Sequence, residues 1–232
     1  MHKIRIPQPA IDRVLARRGS LHVFTDIEPS RTAHVVVDLQ NGFMAPGEPV
    51  ETPAARDIVP NVNRISAALR AAGGLVVYIQ NTIDAKAKAE WSNWFTYMSG
   101  EKRRDRMDAS FAEGSFGHAL WPELEVLPGD LRVLKRRFGA FVPGSSDLQA
   151  VLQARNIDTL IITGTATNVC CESTARDAMM LNYKVIFVSD GTATNNDDEH
   201  NATLGNMLAM FADVMSTSEV VGVLSKAKSQ AA

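Results

Sequence analysis

Short apolar runs, rich in β-branched residues, recur along the chain at 33–39 (AHVVVDL), 75–80 (LVVYIQ), 131–134 (LRVL), 159–163 (TLIIT) and 185–189 (VIFVS). A weaker sixth lies at 212–216. These runs are continuous rather than alternating, as strands must be when helices cover both faces of a parallel sheet. Between them the period changes. Ile58, Val62, Ile65, Leu69 and Ala72 recur at spacings of three or four, with Asp57 placed to cap that helix and Gly73-Gly74 to end it. Residues 147–154, 169–182 and 200–210 read as further helices. The repeated β-α-β order predicts a three-layer α/β/α fold on a doubly wound, mostly parallel six-stranded sheet.

Residues 82–130 break the pattern. They hold Trp91, Trp94, Tyr97, the charge run 101–108 (EKRRDRMD) and Trp121-Pro122. A connection this long carries function or small helices of its own. The charge run reads as a solvated helix face. The aromatic cluster reads either as packing or as a pocket wall. The expected organisation is an N-terminal arm over 1–30 and a single domain over 31–232, with an insert at about 82–130.

Composition narrows the class. Across 232 residues, 24 basic and 26 acidic side chains give a formal net charge of −2. That balance argues against a dedicated nucleic-acid binder. With 45% hydrophobic residues the chain can bury a core, and it is not of the disordered kind. No run approaches the roughly 20 apolar residues of a membrane span. The basic start lacks the apolar stretch of a secretory signal. The expectation is a cytoplasmic protein without membrane association. The two cysteines, Cys170 and Cys171, are adjacent, which suits neither a disulfide framework nor a zinc knuckle. The five histidines show no metal-ligand spacing, and no G-x-G-x-x-G or Walker loop is present. No metal and no cofactor are therefore expected.

Open α/β sheets bind ligands beyond the carboxyl ends of their strands. Three reactive side chains stand there: Asp38 after HVVV, Lys135 after LRVL, and Cys170 after TLIITGTATNV. On neighbouring strands, an acid, an amine and a thiol would meet at one sheet edge, as nucleophilic catalysis requires. Cys170 would lie in the first turn of a helix capped by Thr167 or Asn168. There the helix dipole and a nearby lysine would lower the thiol pKa, and the Cys170 N–H would face a developing oxyanion. The competing readings are plain: a buried cysteine as a small hydrophobe, a strand-end aspartate as a turn residue, a strand-end lysine as solvated. Spacing alone leaves a Cys-His pair with His118 or His200 open, but nothing places either histidine at a strand end, and the histidines read as surface or structural.

These motifs resemble those of the isochorismatase-like cysteine hydrolases over roughly residues 30–220. Val36-Val37-Asp38-Leu39-Gln40-Asn41 is similar to the family's first-strand motif. Residues 133–141 (VLKRRFGAF) are similar to its lysine motif, and 164–170 (GTATNVC), running on through 172–178, to its nucleophile motif. The resemblance implies an Asp38-Lys135-Cys170 triad, a cis Thr165–Ala166 peptide, and an oxyanion hole from the Ala166 and Cys170 N–H groups. It also implies a homodimer or homotetramer.

Members that cleave isochorismate resemble this chain at 197–203 (DDEHNAT), but typically lack a cysteine at the position of Cys170. That cysteine favours covalent cleavage of a C–N bond. Nicotinamidase-type members carry an Asp and His metal cluster after the second strand. Here Gln80-Asn81-Thr82-Ile83-Asp84 has no histidine. The T-A-T-N-V-C string and the Gln80-Asn81 pair most resemble the ureidoacrylate, biuret and N-carbamoylsarcosine hydrolases. The expected activity is hydrolysis of a small ureido, carbamoyl or amide compound through a cysteine thioester. The alternatives are a vinyl-ether hydrolase using Asp38 alone, and a binding or assembly module of the same fold. Asn41, Asn81 and Thr167 are the candidate amide-binding groups. Phe43, Trp91, Trp94 and Phe141 are the candidate flat walls. Arg137 and the cations of 102–106 are available to a substrate carboxylate or, more simply, to solvent.

Overall fold

The structure, a computed structural model, describes residues 1–231. The strands are β1 (Thr32–Val37), β2 (Leu75–Asn81), β3 (Leu131–Lys135), β4 (Thr159–Thr165), β5 (Lys184–Ala193) and β6 (Asp213–Met215). They form one sheet in the order β3-β2-β1-β4-β5-β6, and every neighbouring pair is parallel. The chain winds outward from β1 to β3, returns to β4 beside β1, and winds out the other way. The direction of winding reverses between β1 and β4, and the carboxyl ends of those strands frame the crevice where such sheets bind ligands.

The helices are α1 (Gln8–Arg18), the single turn α2 (Asn41–Met44), α3 (Val59–Ala71), α4 (Ala85–Glu90), α5 (Glu101–Ser110), α6 (Leu148–Gln153), α7 (Glu172–Met180), α8 (Asp197–Asn206) and α9 (Thr217–Ala231). Strand side chains alternate between the two faces. Val35, Val37, Leu160, Ile162, Val185 and Phe187 pack with Leu148 and Leu152 of α6, Ala175 and Ala178 of α7, and Val14 of α1. Ile161, Ile186 and Val188 pack with Ile65 and Leu69 of α3 and Val220 and Leu224 of α9. Both faces are covered, so the continuous apolar runs of the sequence are satisfied. Among the described residues no helix is long and apolar enough to cross a membrane.

Asp57 does not cap α3. Ile58 holds the cap position with no side-chain bond. Pro60 near the first helical position removes one of the donors a cap would serve. The Asp57 carboxylate instead takes the amino group of Met1. The far end stops as expected: Gly73 adopts φ +86°, which favours glycine, and the Gly74 N–H returns to the Leu69 carbonyl at 2.9 Å. The helix expected over 169–182 begins instead with a wide π-helical turn, Thr167–Cys171, that feeds α7. A similar turn, Met207–Phe211, ends α8.

His34 is fully buried, its ring between Ser66 of α3 (2.9 Å to Nδ1) and Thr163 of β4 (2.8 Å to Nε2). Burial, with the Arg70 charge adding to it, pushes its pKa down to about 3. On acidification the unfolded chain therefore takes up this proton first. Its contribution to stability is full above pH ~6.5 and falls by about 1.4 kcal/mol per pH unit down to the folded value. His200, lowered to about 4, acts in the same direction. Urea midpoints measured from pH 7 to pH 4 should fall steeply for the native chain and less steeply for His34→Gln. Equal slopes would mean that the ring is not held neutral in the fold.

Candidate active site

Asp38 follows β1 directly, at φ +54° in the left-handed region that aspartate tolerates better than most residues. Its N–H still bonds the Ile79 carbonyl of β2 (3.1 Å), while the Gln40 N–H folds back onto its carbonyl (2.8 Å). The turn is anchored by Gln40, whose amide donates to the Asn81 and His118 carbonyls (3.1 and 2.9 Å) and accepts from the Asn81 N–H (2.7 Å). On the adjacent strand Gly164 has φ +121°, and a Cβ there would sit 2.0 Å from the Val37 carbonyl oxygen. Only glycine lets β4 approach β1 this closely.

Lys135 ends β3, which is not the neighbour of β1: β2 lies between them. The long lysine side chain spans that gap. Its Nζ stands 2.9 Å from Asp38 Oδ2, donates to the Arg137 carbonyl at 2.8 Å, and reaches Cys170 Sγ at 3.6 Å. Asp38 and Lys135 are fully buried, and Cys170 is 4% exposed. The Asp38–Lys135 contact is a fully buried ion pair.

The Thr165–Ala166 peptide is cis. The Ala166 carbonyl then receives the Val169 and Cys171 N–H groups (3.1 and 3.2 Å), which winds the wide turn that carries the thiol. Cys171 faces the core, its Sγ 3.9 Å from the Thr163 carbonyl. Burial raises the Cys170 pKa, against the pull of the Lys135 ammonium. Burial likewise raises Asp38. Lys135 is raised as well: burial works against its charge, and the Asp38 carboxylate and Cys170 outweigh it. The helix-end and lysine effects expected to lower the thiol pKa are thus overridden by desolvation.

Cys170 and Ala166 form part of the wall of a cavity of about 470 Å³. Phe43, Asn81 and Trp94 also line it. The other expected contacts lie elsewhere. Asn41 ties α2 to the returning insert, donating to the Phe116 carbonyl (2.9 Å). Thr167 bonds His200 Nδ1 (2.9 Å), whose Nε2 meets the Ser189 carbonyl (3.0 Å). Phe141 packs in the core, 5.7 Å from the Tyr183 ring. Trp91 stands behind the wall, stacked on Trp94 (4.9 Å), edge-on to Phe138 (4.8 Å) and beneath the Arg137 guanidinium (5.5 Å). The wall also includes Phe138, Asn195 and Met107, which the sequence did not single out, and Arg103, one of the cations of 102–106 for which solvation was the simpler expectation. The Arg103-to-Met107 spacing of four on α5 was the available signal. Among the described residues no group of three or more His, Cys, Asp or Glu side chains is placed to hold a metal ion.

The isochorismatase domain family matches residues 32–219. The chain belongs to the isochorismatase family. Within it, a relative named ureidoacrylate amidohydrolase from Agrobacterium fabrum is 33% identical over 214 residues, covering 87% of this chain and 93% of its own. A cysteine hydrolase of known structure from Pseudomonas syringae pv. phaseolicola superposes with a TM-score of 0.76 at 29% identity, covering 90% of this chain and 98% of its own. The N-carbamoylsarcosine amidase of Thermoplasma acidophilum shares the fold at a TM-score of 0.63 and 24% identity, covering 81% of this chain and 96% of its own. This isochorismatase-family chain is an enzyme.

Proposed function

We propose that the enzyme is an amidohydrolase that cleaves a C–N bond of a small ureido or carbamoyl compound through a thioester on Cys170. One observation carries the reading: the Cys170 thiol lies in a cavity wall within 3.6 Å of an ammonium that is itself 2.9 Å from a buried carboxylate. Asp38 takes the thiol proton as the sulfur attacks the substrate carbonyl carbon, because a standing thiolate is disfavoured by burial. Lys135 stabilises the negative charge as it passes from carboxylate to sulfur. The N–H groups of Ala166 and Cys170 receive the oxyanion. When the tetrahedral intermediate collapses, the C–N bond breaks and Asp38 returns the proton to the departing ammonia or amine. Water then attacks the thioester, giving a proton to Asp38. Cleavage of the C–S bond releases the acid, and the proton returns to sulfur. The raised Asp38 pKa suits a group that must take up and give back a proton in each half-reaction. Phe43, Trp94 and Phe138 offer flat apolar surface to a planar substrate, and Asn81 a polar edge.

Ammonia release from a panel of biuret, ureidoacrylate, N-carbamoylsarcosine, maleamate and nicotinamide tests the reading. Turnover of a ureido or carbamoyl member is expected. Turnover confined to nicotinamide, or none on any member with cleavage of isochorismate instead, would overturn it.

A further inference from the structure

The first residues of the chain run beside α8. The Lys3 N–H reaches Asp197 Oδ1 at 3.3 Å, and the Asn201 side chain donates to the Lys3 carbonyl at 2.9 Å. His2 turns inward, and its side chain is only 6% exposed. Its Nδ1 lies 2.8 Å from Asp197 Oδ1, and the Thr194 N–H donates to its Nε2 at 3.0 Å. Nε2 therefore carries no proton, and Nδ1–H donates to the carboxylate. One neutral imidazole serves as acceptor and donor at its two nitrogens. The ring face is used as well: it stacks on His200, with centroids 4.4 Å apart and planes 18° from parallel.

Both contacts continue to the turn that carries the thiol. Thr194 is fully enclosed, and its hydroxyl donates to Asn168 Oδ1 at 2.6 Å. The Asn168 amide donates in turn to Glu199 of α8 at 3.2 Å. His200 meets the Ser189 carbonyl through Nε2, so its Nδ1 accepts the Thr167 hydroxyl. Thr167 and Asn168 open the wide turn Thr167–Cys171 and stand just ahead of Cys170 on it. Asn195, the residue after Thr194, shares the cavity wall with Cys170.

We propose that His2 is a positioning residue: by holding Thr194 it fixes Asn168, and with it the turn that sets the Cys170 sulfur against Lys135 and Asp38. This rests on the reading of Cys170 as the nucleophile and extends that site to the start of the chain. The route through Thr194 carries the effect. A buried N–H that loses its acceptor has no water to turn to, so its loop shifts to find a partner. The stack on His200 cannot replace that acceptor. A shift on the order of 1 Å at a reacting atom lowers a rate by up to about 100-fold.

Three variants separate the contacts. His2→Gln offers an amide oxygen near the place of Nε2 and keeps an acceptor for Thr194. His2→Phe keeps the stack and removes the acceptor. Thr194→Val keeps the N–H and removes the hydroxyl that holds Asn168. Hydrogen exchange followed by mass spectrometry reads the turn without any substrate. The amides of 167–172 should exchange roughly tenfold faster in His2→Phe and in Thr194→Val, and near the native rate in His2→Gln. Exchange in β1 and α3 should be unchanged in all three. His2→Phe combined with Thr194→Val should exchange no faster than either alone. In turnover, kcat should fall roughly tenfold in the two damaging variants, with KM much less affected, and His2→Gln should keep most of the rate. Native exchange at 167–172 in His2→Phe, equal rates in His2→Gln and His2→Phe, or an undiminished kcat in His2→Phe would overturn the assignment. A silent substrate panel with Cys170 intact would overturn the amidohydrolase reading instead, and the exchange rates would still decide the role of His2.

Discussion

Cys170→Ala is expected to abolish ammonia release while leaving the fold intact. The substitution removes the one thiol among the described residues of the cavity wall, the group that the proposed thioester requires beside Lys135 and Asp38. Loss of a nucleophile that works as one unit with its base lowers kcat by at least about 10³-fold. The structural effect is small by comparison. One buried sulfur is lost, on the order of 1 kcal/mol, so the thermal midpoint should shift by only a few degrees. Cys171→Ala is the control: it removes a sulfur of the same burial that faces the core, and most of the rate should remain. Turnover that survives Cys170→Ala would sink the thioester route. It would point to ether cleavage by Asp38 alone.

Lys135→Met is expected to damage both stability and rate. It leaves the Asp38 carboxylate fully buried without its counter-ion. Breaking a buried pair from one side costs about 3–5 kcal/mol, whereas removing both charges is far milder. Without the ammonium, the largest opposition to desolvation is gone and the Asp38 pKa rises further above the unfolded value. The folded variant then holds a proton that the unfolded chain has released. Its stability should be greatest at low pH and fall as pH rises, opposite to the trend that His34 imposes. Guanidinium denaturation at pH 5 and pH 8 reads this directly. Lys135→Met combined with Asp38→Asn should regain most of the stability and none of the activity. A single variant as stable as the native chain at pH 8 would show that the pair is not desolvated.

Much of the architecture was legible because β-branched runs and strand ends carry strong local signals. Asp38 and Lys135 stand at the ends of such runs and Cys170 on the turn that follows one, and the structure gathers them. What the runs do not encode is strand order. The supposition that the three strands are neighbours fails for β3, and the reach of a lysine makes up the difference. Side chains in irregular segments were less legible, because no period fixes their direction. Phe138 faces the cavity while Phe141, three residues on, enters the core. Asn41 and Thr167 sit within the motif strings yet hold backbone and helix rather than line the cavity. The run 101–108 hides its cavity face because a helix rich in charge shows no apolar stripe; Arg103 and Met107 mark that face only once the fold places it. The thiol environment was misjudged for a separate reason. Helix ends and lysines are visible in sequence, but the depth of burial that outweighs them is not.

The placement of the two sulfurs has a consequence for handling the protein. Cys170 borders the cavity, whereas Cys171 is wholly shielded in the native fold and becomes accessible only when the sheet opens. In the Cys170→Ala background, Cys171 is left as a single reporter at the centre of the molecule, beside β4. Its alkylation by a thiol reagent requires the strands to part, so the labelling rate measures how often they do. The chain thus contains a built-in stopwatch for its own unfolding, readable by mass without any added probe.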